Sequence, residues 1–211
     1  MMISTKQQNS ISFGSKINFV PLKEFQRIKS GIVIESTSFK NILKGEKFWT
    51  EEIKTCVSGG LVYNEGGIGW HLFHTEKILK NLDIHIAIIK NQLQGQLPHN
   101  GLLLGSKKYI GTPFSRPIFK EMKEEMQKLT PNISLFECHK YMLSETHMMY
   151  SKHNDTWTLC ANKARFWRKD KSVDSLRELL NFYETIRIAP TDKLYINGKL
   201  INKHEAPRIF G

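Results

Sequence analysis

Cysteine is scarce in this chain. There are three, Cys56, Cys138 and Cys160, an odd number spread along 211 residues. They make no disulfide framework, and synthesis in a reducing cytosol is the expectation. Long apolar runs are missing as well. None approaches the ~18 residues that span a bilayer, so neither a transmembrane helix nor a membrane partner is expected. The start, Met1 to Ser10, has no apolar core of the secretory kind. Acidic residues are in short supply, with 20 Asp plus Glu against 31 Lys plus Arg, a net charge of +11. That balance favours an anionic partner surface and says nothing about fold. There is no P-loop, no dinucleotide fingerprint, no His-Glu-x-x-His motif and no Gly-x-Ser-x-Gly elbow. Cys138, His139, His147, His153 and Cys160 are metal-ligand types, but their spacing fits no tight zinc pattern and no Cys-x2-Cys is present. No metal and no organic cofactor is expected.

What is present suffices for one large domain: 40% of residues are hydrophobic and 10% aromatic. Residues 1–16 are polar and predict a flexible N-terminus. Residues 19–29 suggest a short helix, and β-branched residues 31–35 a strand. Residues 56–63 and 68–73 read as two strands joined by the turn Asn64-Glu65-Gly66-Gly67. Thr75 caps a predicted helix over 76–93, with Ile78, Leu79, Leu82, Ile86 and Ile89 at helical spacing. A buried strand over 101–104 precedes a helix that Ser115 and Pro117 open and Pro131 stops. Residues 133–138 read as a strand, and 146–152 with 156–160 as a hairpin. The charged stretch 163–171 is a linker candidate, and Ser172 a cap for a helix with Leu176, Leu179, Leu180 and Tyr183 on its apolar face. The tail has strand character with a turn at Asn197-Gly198. This order predicts an α/β fold, a layered mixed sheet flanked by helices, with a core domain over 17–160 and a C-terminal α/β extension over 161–211 packed on it.

Three residues carry candidate chemistry: Thr50, Cys56 six residues on, and His71 fifteen residues after that. A cysteine and a histidine on the two strands of one hairpin can face each other. The imidazole would lower the thiol pKa and store its proton, and a hydroxyl such as Thr50 would accept the ring N–H and orient it. Glycines 59, 60, 66, 67 and 69 would leave the sulfur accessible. A strand cysteine is equally a small core residue. Trp70 walls a site or packs in the hairpin; His74, on the face opposite His71, reads as structural. Residues 163–171 interleave Phe166 and Trp167 with basic side chains, and read as a solvated linker, a protein-docking segment or a phosphate-binding one.

The stretch Thr50-x5-Cys56-Val57, then Gly66-Gly67 and His71, resembles the chemoreceptor glutamine deamidase family CheD. That family is related to deamidating bacterial toxins such as the cytotoxic necrotising factors. The resemblance extends through 101–105, Ile110-Gly111 with Arg116, and 133–138, covering roughly 32–159. The chain departs from the family at Glu51-Glu52-Ile53-Lys54, where glycines are usual, and at Thr55, where serine is. These departures point to a divergent, toxin- or effector-like member.

The resemblance implies a CheD-like fold for 17–160 and a protein-glutamine deamidase with Cys56 as nucleophile, His71 as base and Thr50 as third member. It implies a glutamine-containing protein substrate, here one with an acidic surface, rather than nucleic acid. It implies synthesis in a bacterial cytoplasm, with export into a host cytosol by a route that needs no cleaved signal. The alternative is a catalytically inactive CheD-like scaffold. It would bind nucleic acid or an acidic protein through residues such as Arg165, Arg168 and Lys169.

Overall fold

A strand buried on both faces belongs to an inner layer. Residues 57–63 and 66–72 are buried at every position, and their side chains divide between two apolar clusters by parity: Val57, Leu61 and Tyr63 enter one, Val62 the other. The computed structural model describes residues 14–35, 42–105, 112–141, 144–165 and 168–210.

The chain begins with β1 (Lys16–Phe19), α1 (Leu22–Ile28), β2 (Ile32–Val33), β3 (Ile42–Gly45) and β4 (Lys47–Ile53). The hairpin β5 (Val57–Tyr63) and β6 (Gly66–Leu72) leads into α2 (Glu76–Lys80) and α3 (Leu82–Leu93). Then come β7 (Asn100–Gly105), α4 (Ser115–Leu129), β8 (Ile133–His139), β9 (Ser144–Ser151) and β10 (Thr156–Arg165). The chain closes with β11 (Arg168–Ser172), α5 (Leu176–Phe182), β12 (Tyr183–Arg187), β13 (Lys193–Ile196) and β14 (Lys199–Ile201).

The fold is α/β with two mixed sheets. One runs β14-β13-β1-β10-β9-β4-β2, with β11 on β10; the other runs β12-β8-β7-β5-β6-β3. Phe48, Met148, Tyr150 and Trp157 of the first sheet pack against Val62, Leu102, Leu104 and Phe136 of the second. The outer face of the second sheet is covered by α3 and α4 through Ile86, Ile89, Ile118, Met122 and Met126. On the outer face of the first, Phe25 of α1 packs with Met149 and Cys160. Four layers result: helices, sheet, sheet, helix. No helix among the described residues is long and apolar enough to cross a membrane.

Residues 161–210 supply strands to both sheets: β12 pairs with β8, and β13 lies parallel to β1. Asp192 anchors this part. Buried at the start of β13, it accepts hydrogen bonds from Asn100 Nδ2 and, at 2.5 Å, from Ser134 Oγ. Burial holds its carboxyl up, at about 6.

Several expectations change. The chain is ordered before residue 16: Ser15 is buried and Gly14 lies against the Thr191 carbonyl, so close that a Cβ would overlap it. Residues 1–13 lie outside the described residues. The helix over 76–93 divides at Asn81, whose Nδ2 donates to the Lys77 carbonyl at 2.7 Å and competes with the helical backbone. Residues 163–171 are not a linker. β10 continues to Arg165 and β11 returns against it, pairing Arg165 with Arg168 and Lys163 with Lys171. Phe166 and Trp167 lie outside the described residues. The cap of α5 is Ser175, whose side chain accepts from the Glu178 N–H. Ser172 ends β11, where its Oγ accepts from the Leu22 N–H, and Tyr183 begins β12 instead of facing the core from α5.

Candidate active site

On β6 the residues facing the other sheet are Gly67, Gly69 and His71. A Cβ on Gly67 would lie 3.0 Å from the Tyr150 ring, and one on Gly69 2.4 Å from the Phe48 ring. The glycines therefore admit the aromatic rings of the eight-stranded sheet. They pack the sandwich and do not open a path to the sulfur. One step further along each row, where β4 presents the small Thr50 after Phe48, the imidazole of His71 fits between the sheets.

Thr50 Oγ1 donates to the Ile34 carbonyl at 2.9 Å and lies 2.6 Å from His71 Nδ1. A hydroxyl has one proton. With that proton on Ile34, Thr50 accepts from Nδ1–H. The ring nitrogen Nε2 is then the one left with a lone pair. It is buried and has no hydrogen-bond partner. Thr50 and His71 are 1% and 2% exposed, and burial pulls the imidazole down to about 4. At neutral pH His71 is an uncharged imidazole oriented by Thr50.

Cys56 sits in the bend between β4 and β5. Ser58, two residues on, pairs in register with His71, which puts the cysteine just before β5, at the end of the hairpin where His71 lies. It is 4% exposed. The nearby His74 and Thr55 backbone N–H groups, the Lys54 charge and the Thr55 hydroxyl act on its sulfur. All of these favour the thiolate, but burial outweighs them and pushes the thiol up to about 12. The expected lowering of the thiol pKa by its imidazole is therefore not found. A dry imidazole is uncharged and offers the sulfur no counter-ion. Gly105 closes over the cysteine backbone at φ +128°, where a Cβ would stand 2.5 Å from the Cys56 carbonyl oxygen. The left-handed backbone and the close approach both require glycine there.

Thr50 and His71 thus meet directly, and Cys56 lies at the same end of the hairpin without a hydrogen bond from its sulfur to the imidazole. No family model matches the chain, and no curated protein and no solved structure is similar to it. Trp70 points to the opposite side, into the core under α3 and α4, and does not wall the site. His74 is not remote from it: Nδ1 is 2.7 Å from Thr55 Oγ1. His74 follows the end of β6 at Leu72, so strand alternation does not fix which way it points. Ile110 and Gly111 lie outside the described residues, whereas Arg116 falls in the first turn of α4.

Of the five metal-ligand types, Cys138 and His139 are neighbours on β8, and His147 pairs in register with Cys160 between β9 and β10. No group of three that would hold a metal occurs among the described residues. His139 Nε2 is 3.0 Å from Thr146 Oγ1, and His147 lies between Glu51 and Glu145 at 3.8 and 3.4 Å.

The low pKa of His71 has a consequence for stability. Between pH ~6.5 and ~4 the unfolded chain binds a proton that the folded one refuses, so stability falls as pH falls through that interval. The loss is about 3 kcal/mol at roughly 1.4 kcal/mol per unit. Asp192, held up at about 6, titrates in the opposite sense over much of the same interval. The comparison is therefore between His71→Ala and the parent chain. Urea unfolding at several pH values should show the acid loss in the parent exceeding that in the variant by about this amount. Equal slopes would mean that His71 stays protonated in the folded protein.

Proposed function

We propose that this chain is a cysteine-dependent protein-glutamine deamidase with a CheD-like core. The observation that carries the reading is the Thr50–His71 pair. It fixes the imidazole by an Nδ1–H···Oγ1 bond and leaves a buried, unpartnered Nε2 on the strand beside Cys56. A core histidine is normally satisfied at both nitrogens. One left open at the end of the hairpin next to Cys56 suits proton transfer once the thiol and a substrate amide come within its reach.

The pair starts neutral, so activation is general-base catalysis during attack and not a standing ion pair. Cys56 Sγ attacks the glutamine carboxamide carbon while Nε2 takes the thiol proton. The tetrahedral intermediate expels ammonia, which leaves with the proton from Nε2, and a thioester remains. Water then attacks the thioester carbon and gives a proton to Nε2. The C–S bond breaks, the proton returns to sulfur, and the product is glutamate. A primary amine in place of water would give transglutamination. The net charge of +11 suits a substrate protein with an acidic surface. Synthesis in a bacterial cytoplasm and action on a host protein belong to the same proposal.

The test is conversion of glutamine to glutamate in the proteins of a cell extract, read by mass spectrometry, with the full chain and with Cys56→Ala. Site-specific conversion that disappears in Cys56→Ala supports the reading. Conversion that persists in Cys56→Ala sinks it. The burial of Cys56 and its raised pKa favour a second reading, an inactive CheD-like scaffold that binds an acidic protein or nucleic acid through its basic residues. That reading predicts salt-dependent binding without conversion.

A further inference from the structure

A second hydroxyl–imidazole pair lies beside the first, and the steps above do not use it. Thr55 Oγ1 and His74 Nδ1 are 2.7 Å apart. They belong to different segments: Thr55 to the bend before β5, His74 to the turn between β6 and α2. The turn is held on both sides. Thr75 N–H donates to the Phe73 carbonyl at 2.9 Å, and the Thr75 side chain caps α2 at Ile78. The rings of Phe73 and His74 lie 4.6 Å apart.

Both segments aim donors at one atom. Cys56 follows Thr55 directly in that bend, and the His74 and Thr55 backbone N–H groups and the Thr55 hydroxyl act on its sulfur in favour of the charged form. A neutral thiol is a weak acceptor, whereas hydrogen bonds to an ionised group are short and strong. Donors beside a sulfur match its charged form better than its neutral one. The tautomer fits as well. With the proton on Nδ1, His74 donates to Thr55 Oγ1 and leaves the hydroxyl proton to face the sulfur.

We propose that Thr55 and His74 are a positioning pair whose 2.7 Å bond latches the bend and the turn together, so that their donors stabilise negative charge on Cys56 Sγ as it attacks. The proposal rests on the reading of Cys56 as the nucleophile. It adds to that reading a device separate from the Thr50–His71 base.

The test is the rate of Cys56 alkylation by iodoacetamide in the full chain, followed from about pH 5 to about pH 10 by mass spectrometry. The variants are Thr55→Val, Thr55→Ser, His74→Phe and His71→Ala. Thr55→Val keeps the shape and removes the hydroxyl, and its rate should fall roughly tenfold at every pH, the size of one lost hydrogen bond to a charged group. His74→Phe keeps the ring against Phe73 and removes the latch. Its rate should fall severalfold, and its alkaline limb should move to higher pH. Thr55→Ser should restore the parent profile. Parent-like rates in either Thr55→Val or His74→Phe overturn the proposal. The His71→Ala arm separates this from the base assignment. A Thr55 effect that persists while His71→Ala leaves the profile unchanged upholds the latch and removes the base. The reverse pattern removes the latch alone.

Discussion

Replacing His71 by alanine is expected to lower deamidation by on the order of 10²- to 10⁴-fold, the range that a positioned acid–base group supplies. The chain should remain folded. The imidazole makes one side-chain bond, to Thr50, and Thr50 keeps its own bond to the Ile34 carbonyl when the ring is gone. Binding of the substrate protein should change little, because His71 is buried and meets only the reacting amide. The loss should therefore appear in kcat with KM nearly constant. Thr50→Val tests the same chain of dependence one step back. It leaves Nδ1–H without an acceptor and removes the constraint that points the lone pair of Nε2, so a loss of roughly 10- to 100-fold is expected, as for an outer hydrogen bond that orients a functional histidine. The comparison requires a substrate found by the conversion assay. Activity of His71→Ala within about threefold of the parent would remove the base from the mechanism.

Gly69→Ala is expected to damage both stability and the site. The added Cβ would stand 2.4 Å from the Phe48 ring and 2.6 Å from Ile34 Cδ1. Both neighbours are fully or almost fully buried in the core between the sheets. Such overpacking costs typically 1–3 kcal/mol and sometimes more. The damage should also reach the chemistry. Phe48 is two residues from Thr50 on β4, and the carbonyl that takes the Thr50 proton is that of Ile34. Moving either displaces the acceptor of His71 Nδ1–H. Urea unfolding should therefore give a lower midpoint with the m-value unchanged, and conversion should fall by more than the loss of folded protein explains. A midpoint equal to that of the parent would mean that the sheets separate freely at this layer.

The hairpin that carries Cys56 and His71 was legible because its two strands are short, bounded and joined by a glycine turn, and a hairpin is a local object. The acceptor role of Thr50 followed from the need of an imidazole for an orienting partner. That this partner comes from the other sheet did not follow, because spacing along the chain does not say which strands stack. The glycines were read as openings since alternation shows their face but not what is packed on it; Phe48, Tyr150 and Trp157 fill those places. The close approach to the Cys56 carbonyl comes from Gly105, about fifty residues later, and spacing does not show it. The strand β11 was hidden because its sequence, Arg-Lys-Asp-Lys-Ser, has no apolar residue and so no hydrophobic periodicity to read. His74 was assigned to the far face by an alternation that stops at Leu72.

The proposed mechanism requires His71 to act as a neutral general base toward Cys56. The most direct test is the pH dependence of iodoacetamide alkylation at Cys56, Cys138 and Cys160, in the parent chain and in His71→Ala. With the imidazole uncharged above about pH 4 and the thiol held up at about 12, Cys56 of the parent should react at a nearly constant rate from about pH 5 to about pH 8, since base assistance is already complete there. In His71→Ala that plateau should vanish and the rate should climb about tenfold per pH unit, as for a thiol that reacts only after ionising in bulk solvent. A Cys56 profile that rises tenfold per unit in both chains would contradict the claim and leave the cysteine as part of the core.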